Sequence, residues 1–425
     1  MKVFKFGGAS LANTALFENL PGILEPYREQ ETLIVVSALG KTTNALEEVA
    51  LAFYSHNKDL ALSLFESIKH YHLTIARYLL VKSFNKALDH LQSFFTEVEW
   101  ILHDKPVLSF EYYHDQIVCT GELLSSFLMS AYLNESGISN QWLDIRDVLR
   151  TDNTFREAGI DWKLTMQLTN EFIAPALKVN KLVIVQGFIG ATDENESTTL
   201  GREGSDYSAA VFANLLNAES VTFWKDVIGI FNADPKKFTD TILMKELHYA
   251  EMIEMAYYGA QVIHPNTIRP LQNKGIPLFI KCFLDTSLPG TVIQQKIVKE
   301  LPAIRVVKDA QVLVSLTVRD FAYIGEHAAV ELYKLFEVLK LKPNLIQHGA
   351  IKLMCCLDDF PERIEKLAIA ASTIFDVQIE KGLTLLTIRH YSNLLLDAMV
   401  EGKQVLLKQQ TPDTVQVLVR GTVPG

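Results

Sequence analysis

Three short glycine-bearing segments hold the residues able to do chemistry: Lys5-Phe6-Gly7-Gly8-Ala9-Ser10, Gly121-Glu122 and Leu200-Gly201-Arg202-Glu203-Gly204-Ser205-Asp206. The first follows a strand-like Val3-Phe4, and the third precedes an Ala-rich helical run. Glycine lets backbone N–H groups approach a ligand closely, and a helix N-terminus adds partial positive charge. Each segment brings a fixed charge to that bare backbone, a combination suited to a phosphate, so the chain is expected to move one. Lys5 sits just before a Gly-Gly turn, where its ammonium can reach a cradled phosphate. Arg202 offers a planar fork that matches a carboxylate. Ser205 is predicted to cap the helix carrying Ala209, Ala210, Phe212, Ala213 and Leu216, with Asp206 a positioning acid in its first turn. Glu122 opens another helix, with Leu124, Phe127, Leu128, Ala131 and Tyr132 as its buried stripe and Gly137 at its end. Downstream, Trp224-Lys225-Asp226 leads through a turn to Asp234-Pro235-Lys236, and His264 before Pro265 reads as a structural hydrogen-bonding histidine.

The elements that must position these groups alternate between strand and helix through the first 295 or so residues. Leu33 to Val36, Lys181 to Gln186, Ser220 to Trp224 and Pro277 to Lys281 are near-continuous apolar runs, which indicate a parallel sheet covered on both faces. Between His56 and Lys105 the spacing of Leu64, Phe65, Ile68, Ile75, Tyr78 and Leu79 predicts a long helical insertion. The pattern changes around Gln294 to Ala303. A β-α-β-β-α-β order follows: strand Val312 to Val318, helix His327 to Lys340, strands Pro343 to Ile346 and Ile351 to Leu357, helix Pro361 to Ala371, strand Phe375 to Glu380. A second, shorter set begins at Leu383 to Ile388 and ends at Thr414 to Val419, an imperfect internal repeat.

The 425 residues are enough for two to three domains, and 48% hydrophobic with 21% charged residues fits an ordinary globular protein. A net charge of −10 argues against broad nucleic-acid binding. No apolar run approaches a membrane span, and no signal-peptide pattern opens the chain, so a cytoplasmic, non-membrane protein is expected. Cys119, Cys282, Cys355 and Cys356 lack CxxC spacing, so neither a zinc site nor a disulfide framework is indicated, and Cys355-Cys356 reads as packing.

Taken in order, the segments resemble the aspartate kinase family of the amino-acid kinase superfamily. The resemblance rests on KFGGAS at 5–10, VVSALGKTTN at 35–44, GE at 121–122, QGFIGA at 186–191 and TLGREGSDY at 199–207. It continues through WKDVIGIFNADPKK at 224–237, AEMIEMAYYGAQVIHP at 250–265 and DTSLPGTVI at 285–293. It implies an α/β fold: an amino-acid-kinase-like, mainly parallel sheet sandwiched by helices over residues 1–298. An ACT-like βαββαβ (α+β) regulatory region would follow over 303–425, its first unit about 310–380 and a shortened second unit about 381–425. It implies transfer of the ATP γ-phosphate to the β-carboxylate of L-aspartate, giving 4-phospho-L-aspartate, the first step of lysine, threonine and methionine biosynthesis. Mg²⁺ would arrive with ATP rather than at a protein metal site. By that resemblance Lys5 would contact the phosphates while Gly7, Gly8 and Ser10 shape the cradle. Asp206 would orient the lysine and the substrate amine. Arg202 would clamp the α-carboxylate, Glu122 read the α-amino group, and Thr43 help seat the substrate beside Glu203, Gly204 and Ser205. Lys225, Asp226, Phe231 and Lys236 match the nucleotide-binding segment, with Gln261 beside the phosphates. A homodimer or larger assembly, with lysine or threonine as effector at the ACT-like region, is also implied.

Four departures from the family pattern stand out. Ala9 replaces a usual threonine, and Glu203 stands where many members have glycine, placing an acid beside Arg202. Gln261 occupies a position that is lysine in some members, a charge that Lys225 would supply. The second ACT-like unit is too short for a full domain, and the segment Arg319 to His327 matches no effector loop. Two other readings stay open: another carboxylate or carbamate kinase of the same superfamily, and an amino-acid-sensing pseudokinase.

Overall fold

The computed structural model describes residues 1–11, 13–260, 262–319 and 326–421, with the backbone alone at 326–328. The segment Asp320 to Gly325, and with it most of the expected effector loop, lies outside the described residues. The chain folds as two compact units, residues 1–230, 245–253 and 262–297 in one, and residues 231–244, 254–261 and 298–425 in the other.

The first unit is built on an eight-stranded sheet. Its order across the sheet is Glu246–His248, Thr291–Gln294, Leu278–Cys282, Ser220–Lys225, Lys2–Phe6, Thr32–Val36, Leu182–Gln186 and Gln141–Trp142. Every neighbouring pair is parallel except Thr291–Gln294 against Leu278–Cys282, which is antiparallel. Thr32–Val36 and Leu182–Gln186 are buried at every residue, because helices cover both faces of the sheet's centre. Lys2–Phe6 pairs Lys5 with Val35 on one side and with Phe223 on the other. The Gly-Gly turn, the Ser37–Lys41 turn and Lys225 therefore emerge together at the carboxyl ends of adjacent parallel strands, where ligands of open α/β sheets bind.

The helical insertion is a pair of long helices, Lys58–Leu79 and Phe84–His103. Ala61, Phe65, Ile68, His72, Ile75 and Leu79 form the buried stripe of the first; Tyr78, expected in it, is 61% exposed. Glu122 lies in the first turn of Thr120–Glu135, as its position after Gly121 suggests. That helix is buried on nearly all sides rather than along one stripe, with Leu123, Met129 and Leu133 buried beside Leu124 and Leu128. The Gly204–Leu215 helix starts two residues earlier than predicted: Ser205 lies inside the first turn, and the capping residue is Glu203, in left-handed backbone at φ 56° with no side-chain cap.

In the second unit the two sets of strands are fused. A single antiparallel sheet of six strands runs in the order Leu345–His348, Lys352–Asp358, Ile304–Val318, Phe375–Arg389, Thr414–Arg420 and Val405–Gln410. Ile304–Val318 and Phe375–Arg389, each 15 residues long, pair with one another through both sets. The sequence reading begins the first strand at Val312 and parts Glu380 from Leu383, which places non-strand residues near 308–311 and at Gly382. These positions are instead register shifts and positive-φ residues (Ala310 at 52°, Gly382 at 72°) inside continuous strands, so a bulge rather than a loop joins the sets. The shortened second set keeps the helix Asn393–Val400, which packs Leu396 and Met399 on Ile388, Val415 and Val417. Among the described residues, no helix is long and apolar enough to cross a membrane.

Candidate active site

Three charged side chains that are far apart in sequence meet at the strand ends. Lys5, on the first strand, is nearly buried, with Nζ 2.6 Å from Asp206 Oδ1. Lys225, at the end of the neighbouring parallel strand, places Nζ 3.5 Å from Asp206 Oδ2 and donates to the Val262 carbonyl at 2.8 Å. Burial pushes the Asp206 carboxyl up, but the two ammonium groups and their hydrogen bonds outweigh it and hold it below the usual carboxylate range. One carboxylate shared by two cations leaves a unit of positive charge for an anionic ligand.

The cradle beside Lys5 is backbone. A Cβ at Gly8 would lie 2.9 Å from the carbonyl oxygens of both Ala38 and Gly40, and the Gly40 N–H donates to the Gly8 carbonyl at 3.2 Å. A Cβ at Gly7 would come 3.3 Å from Lys5 Nζ, so only glycine leaves the ammonium a clear face. The Ser10 hydroxyl donates to the Trp224 carbonyl at 2.9 Å, tying this turn to the strand that ends in Lys225. Opposite, a Cβ at Gly187 would lie 2.7 Å from the Ser205 Cβ and 2.9 Å from Val35, so the helix carrying Asp206 sits directly on the strand ends. The residues present fit a polyphosphate: N–H groups without side chains, two lysines and a helix N-terminus.

Glu122 faces the same region. It is buried, and its Oε1 accepts from the Ala38 N–H at 3.2 Å, while Oε2 has no hydrogen-bond partner among the described residues. Burial pushes its carboxyl up to about 8, against the opposing effects of the Ala38 and Glu122 N–H groups and of Lys5. Its helix packs closely here, since a Cβ at Gly121 would stand 3.0 Å from the Ala38 Cβ and 3.2 Å from Leu46. An unpartnered buried carboxyl oxygen is costly unless a ligand cation completes it.

Thr43 is half-buried, one residue into the Thr42–Tyr54 helix. Arg202 is exposed on the turn before Asp206 and has no ion-pair partner among the described residues. Glu203, expected to press on Arg202, instead accepts the backbone N–H of His264 at 2.6 Å. The His264 ring caps the Pro265–Gln272 helix by accepting the Asn266 N–H at 3.2 Å. Ser205 is buried, and Gly204 packs on Phe188, where a Cβ would come within 2.6 Å of the ring. Asp226 is exposed just beyond Lys225, Phe231 and Lys236 belong to the second unit, and Gln261 lies outside the described residues. Among the described residues no group of three or more His, Cys, Asp or Glu could hold a metal ion.

Sequence reasoning missed the backbone partners of these groups (Ala38 N–H, Val262 and Trp224 carbonyls) and a buried Asp115. That aspartate lies on the helix leading into Gly121-Glu122, and its one signal in the sequence is a His-Asp pair ahead of the apolar run Ile117-Val118.

The amino acid kinase family profile matches residues 1–282. Lysine-sensitive aspartokinase 3 of Escherichia coli (strain K12) is 30% identical over 416 residues, covering 95% of this chain and 89% of its own. The chloroplastic bifunctional aspartokinase/homoserine dehydrogenase 2 of Arabidopsis thaliana is 33% identical over 300 residues, and the match spans 69% of this chain but only 32% of that protein. The chain thus spans about a third of the bifunctional relatives it matches. Among solved structures, E. coli aspartokinase III in complex with aspartate and ADP (R-state) superposes with a TM-score of 0.84 at 25% identity, over 99% of this chain and 96% of that one. The same enzyme in complex with lysine and aspartate (T-state) also gives 0.84, at 26% identity, with the same coverage of both chains.

Proposed function

We propose that this chain, which belongs to the amino acid kinase family and within it to the aspartokinases, transfers the γ-phosphate of ATP to the β-carboxylate of L-aspartate, giving 4-phospho-L-aspartate. The observation that carries this reading is the juxtaposition of the Lys5–Asp206–Lys225 cluster with the unpartnered oxygen of Glu122. The first is a seat for transferring phosphate, and the second a seat for an ammonium. A carboxylate is already a nucleophile, so the protein need only align the reactants and stabilise charge on the phosphoryl group.

In this reading Lys5 bridges the phosphate oxygens, and Gly7, Gly8 and Ser10 keep the cradle open for them. Asp206 holds Lys5 and Lys225 at their distances and faces the substrate amine. Glu122 takes the α-ammonium, Arg202 closes on the α-carboxylate from the exposed turn, and Thr43, Gly204 and Ser205 line the remaining wall. Glu203 acts on the turn's position rather than on the Arg202 charge. Lys225, Asp226, Phe231, Lys236 and Gln261 serve the nucleotide, and Mg²⁺ enters bound to it. The domain division follows: a catalytic domain over 1–298 and an ACT-like regulatory region over 303–425, with lysine or threonine as its effector. ACT-type sheets pair across subunits, which makes a homodimer or larger assembly the working form. The place of action is the cytoplasm, at the head of lysine, threonine and methionine biosynthesis.

The test is ADP release from MgATP with L-aspartate, the acyl phosphate being trapped as its hydroxamate, repeated with lysine and threonine added. Aspartate-dependent hydroxamate is the expected result. ATP and aspartate binding without product would overturn the kinase reading.

A further inference from the structure

The three residues set around aspartate in the proposed reading come from three separate segments, and one buried aspartate is joined to all three: through its side chain to the Arg202 turn, through its neighbour His114 to the Thr43 helix, and along its own helix to Glu122. Asp115, on the Phe110–Val118 helix, is fully buried. Its Oδ2 accepts the backbone N–H groups of Arg156 at 2.8 Å and Thr199 at 2.7 Å. Its Oδ1 accepts the Thr199 hydroxyl at 2.9 Å and His114 Nδ1 at 2.9 Å. Four donors on one carboxylate saturate its acceptor sites, so it holds its surroundings in one arrangement.

Those surroundings lead to the substrate side chains. Thr199 is three residues before Arg202, and the Ala158 N–H donates to its carbonyl at 3.0 Å. Gly201 lies flat on the 156–158 turn, since a Cβ there would meet the Arg156 carbonyl at 3.1 Å and Glu157 Cγ at 3.2 Å. Arg156 itself has left-handed backbone, φ 71°, pinned by Asp115 through its N–H. The turn that presents Arg202 is thus laid on a second turn, and both hang from Asp115. On the other side, His114 Nε2 stands 3.4 Å from Glu47 Oε1, one helical turn beyond Thr43. Along the chain, the Cys119 N–H donates to the Asp115 carbonyl at 3.2 Å where its helix joins the one carrying Glu122.

We propose that Asp115, with His114, is the positioning residue that holds Arg202, Glu122 and Thr43 in register for an α-amino acid. This rests on the aspartate reading of the site. The α-ammonium and α-carboxylate of such a substrate share one carbon, so their spacing is fixed, and the groups that read them must be held within about 0.5 Å of each other's required place. Nucleotide binding, on the Lys5 and Lys225 side, does not depend on this node.

The experiment compares Asp115→Asn and Thr199→Val with the wild type in the full chain. It measures KM for aspartate, KM for MgATP, and hydrogen exchange of the backbone amides at 154–158 and 199–204. An asparagine cannot accept from all four donors, so KM for aspartate rises about 10–100-fold. KM for MgATP stays within about twofold, because displacement is confined to the substrate turns. Both turns exchange faster, and Thr199→Val, which loses one donor, shifts the same quantities less. An unchanged KM for aspartate, or a parallel rise for MgATP, overturns the inference. Should Asp115→Asn fail to fold, Thr199→Val decides by the same criteria. A wild type that makes no aspartyl hydroxamate removes the aspartate reading alone. Exchange then decides: faster exchange at 199–204 upholds the positioning role, and unaltered exchange ends it.

Discussion

At the residue scale, Glu122 and Asp206 show how environment divides two carboxylates. Both are buried, yet Asp206 has two lysines within 3.5 Å and is held low, while Glu122 has one N–H partner and is raised to about 8. At neutral pH, then, Glu122 carries its proton until an ammonium arrives. Aspartate binding near pH 7 should therefore release about one proton, measured by titration calorimetry in buffers of different ionisation enthalpy. Glu122→Gln should release none, and equal release from the variant would count against the assignment. The same shift bears on stability. The carboxyl titrates near 4.5 in the unfolded chain and near 8 in the folded one, so the folded state binds the extra proton between these values. Stability is thus lost as pH rises from about 4.5 towards 8. The melting temperature of Glu122→Gln, relative to wild type, should climb over that range; a constant difference would show that Glu122 titrates normally. Burial likewise pushes Cys119, Cys355 and Cys356 up to about 12, in keeping, for Cys355 and Cys356, with the packing role read from their apolar neighbours.

At the element scale the Gly201–Asp206 turn is the revealing one. Glu203 adopts φ 56°, which glycine takes at no steric cost, yet its side chain reaches the His264 N–H at 2.6 Å. Glycine here would relieve the backbone and forfeit the hydrogen bond, two effects of about 1 kcal/mol each and opposite sign. Glu203→Gly should therefore unfold within about 1 kcal/mol of wild type in urea, whereas Glu203→Ala, which keeps the strain and loses the bond, should be less stable than the glycine variant by about 1 kcal/mol. Equal stability of the two variants would mean that the left-handed backbone costs nothing here. In the second unit, the turn-like residues near 310 and 382 bend long strands without ending them. A propensity reading cannot make that distinction, because a bulge and a loop use the same residue types.

At the scale of the whole molecule, the two compact units do not follow the order of the chain. The second takes in residues 231–244 and 254–261 besides everything after 297. Ala233 and Phe238 are buried in it among Leu386, Ile388, Val415 and Val417, and Asp240 pairs with Arg305 at 2.8 Å. A chain cut after Ile297 would leave these apolar groups uncovered. Such a truncation should aggregate or bind a hydrophobic dye on size-exclusion chromatography, and a monodisperse product with a cooperative melt would refute this. A boundary placed by composition near residue 300 carries no mark of the earlier segments, 231–244 and 254–261, that the second unit takes in.

What the sequence determined by itself is local. Charges beside glycines, the N-terminal strand, the parallel α/β alternation and the helix bearing Glu122 were legible, because backbone freedom, apolar runs and dipole preferences act between near neighbours. The order and spacing of the motifs pointed to the family as well. Only the tertiary structure decided that Lys5, Asp206 and Lys225 share one carboxylate, that Glu203 turns to His264, and that Asp115 joins the Arg156 and Thr199 turns. These partners lie 19 to 220 positions apart in the chain and meet only through the sheet's register and the packing upon it, as Lys5 comes beside Phe223. Hydrogen bonds to backbone N–H and carbonyl groups leave no mark on residue type, so such contacts become visible only when the strands are in place.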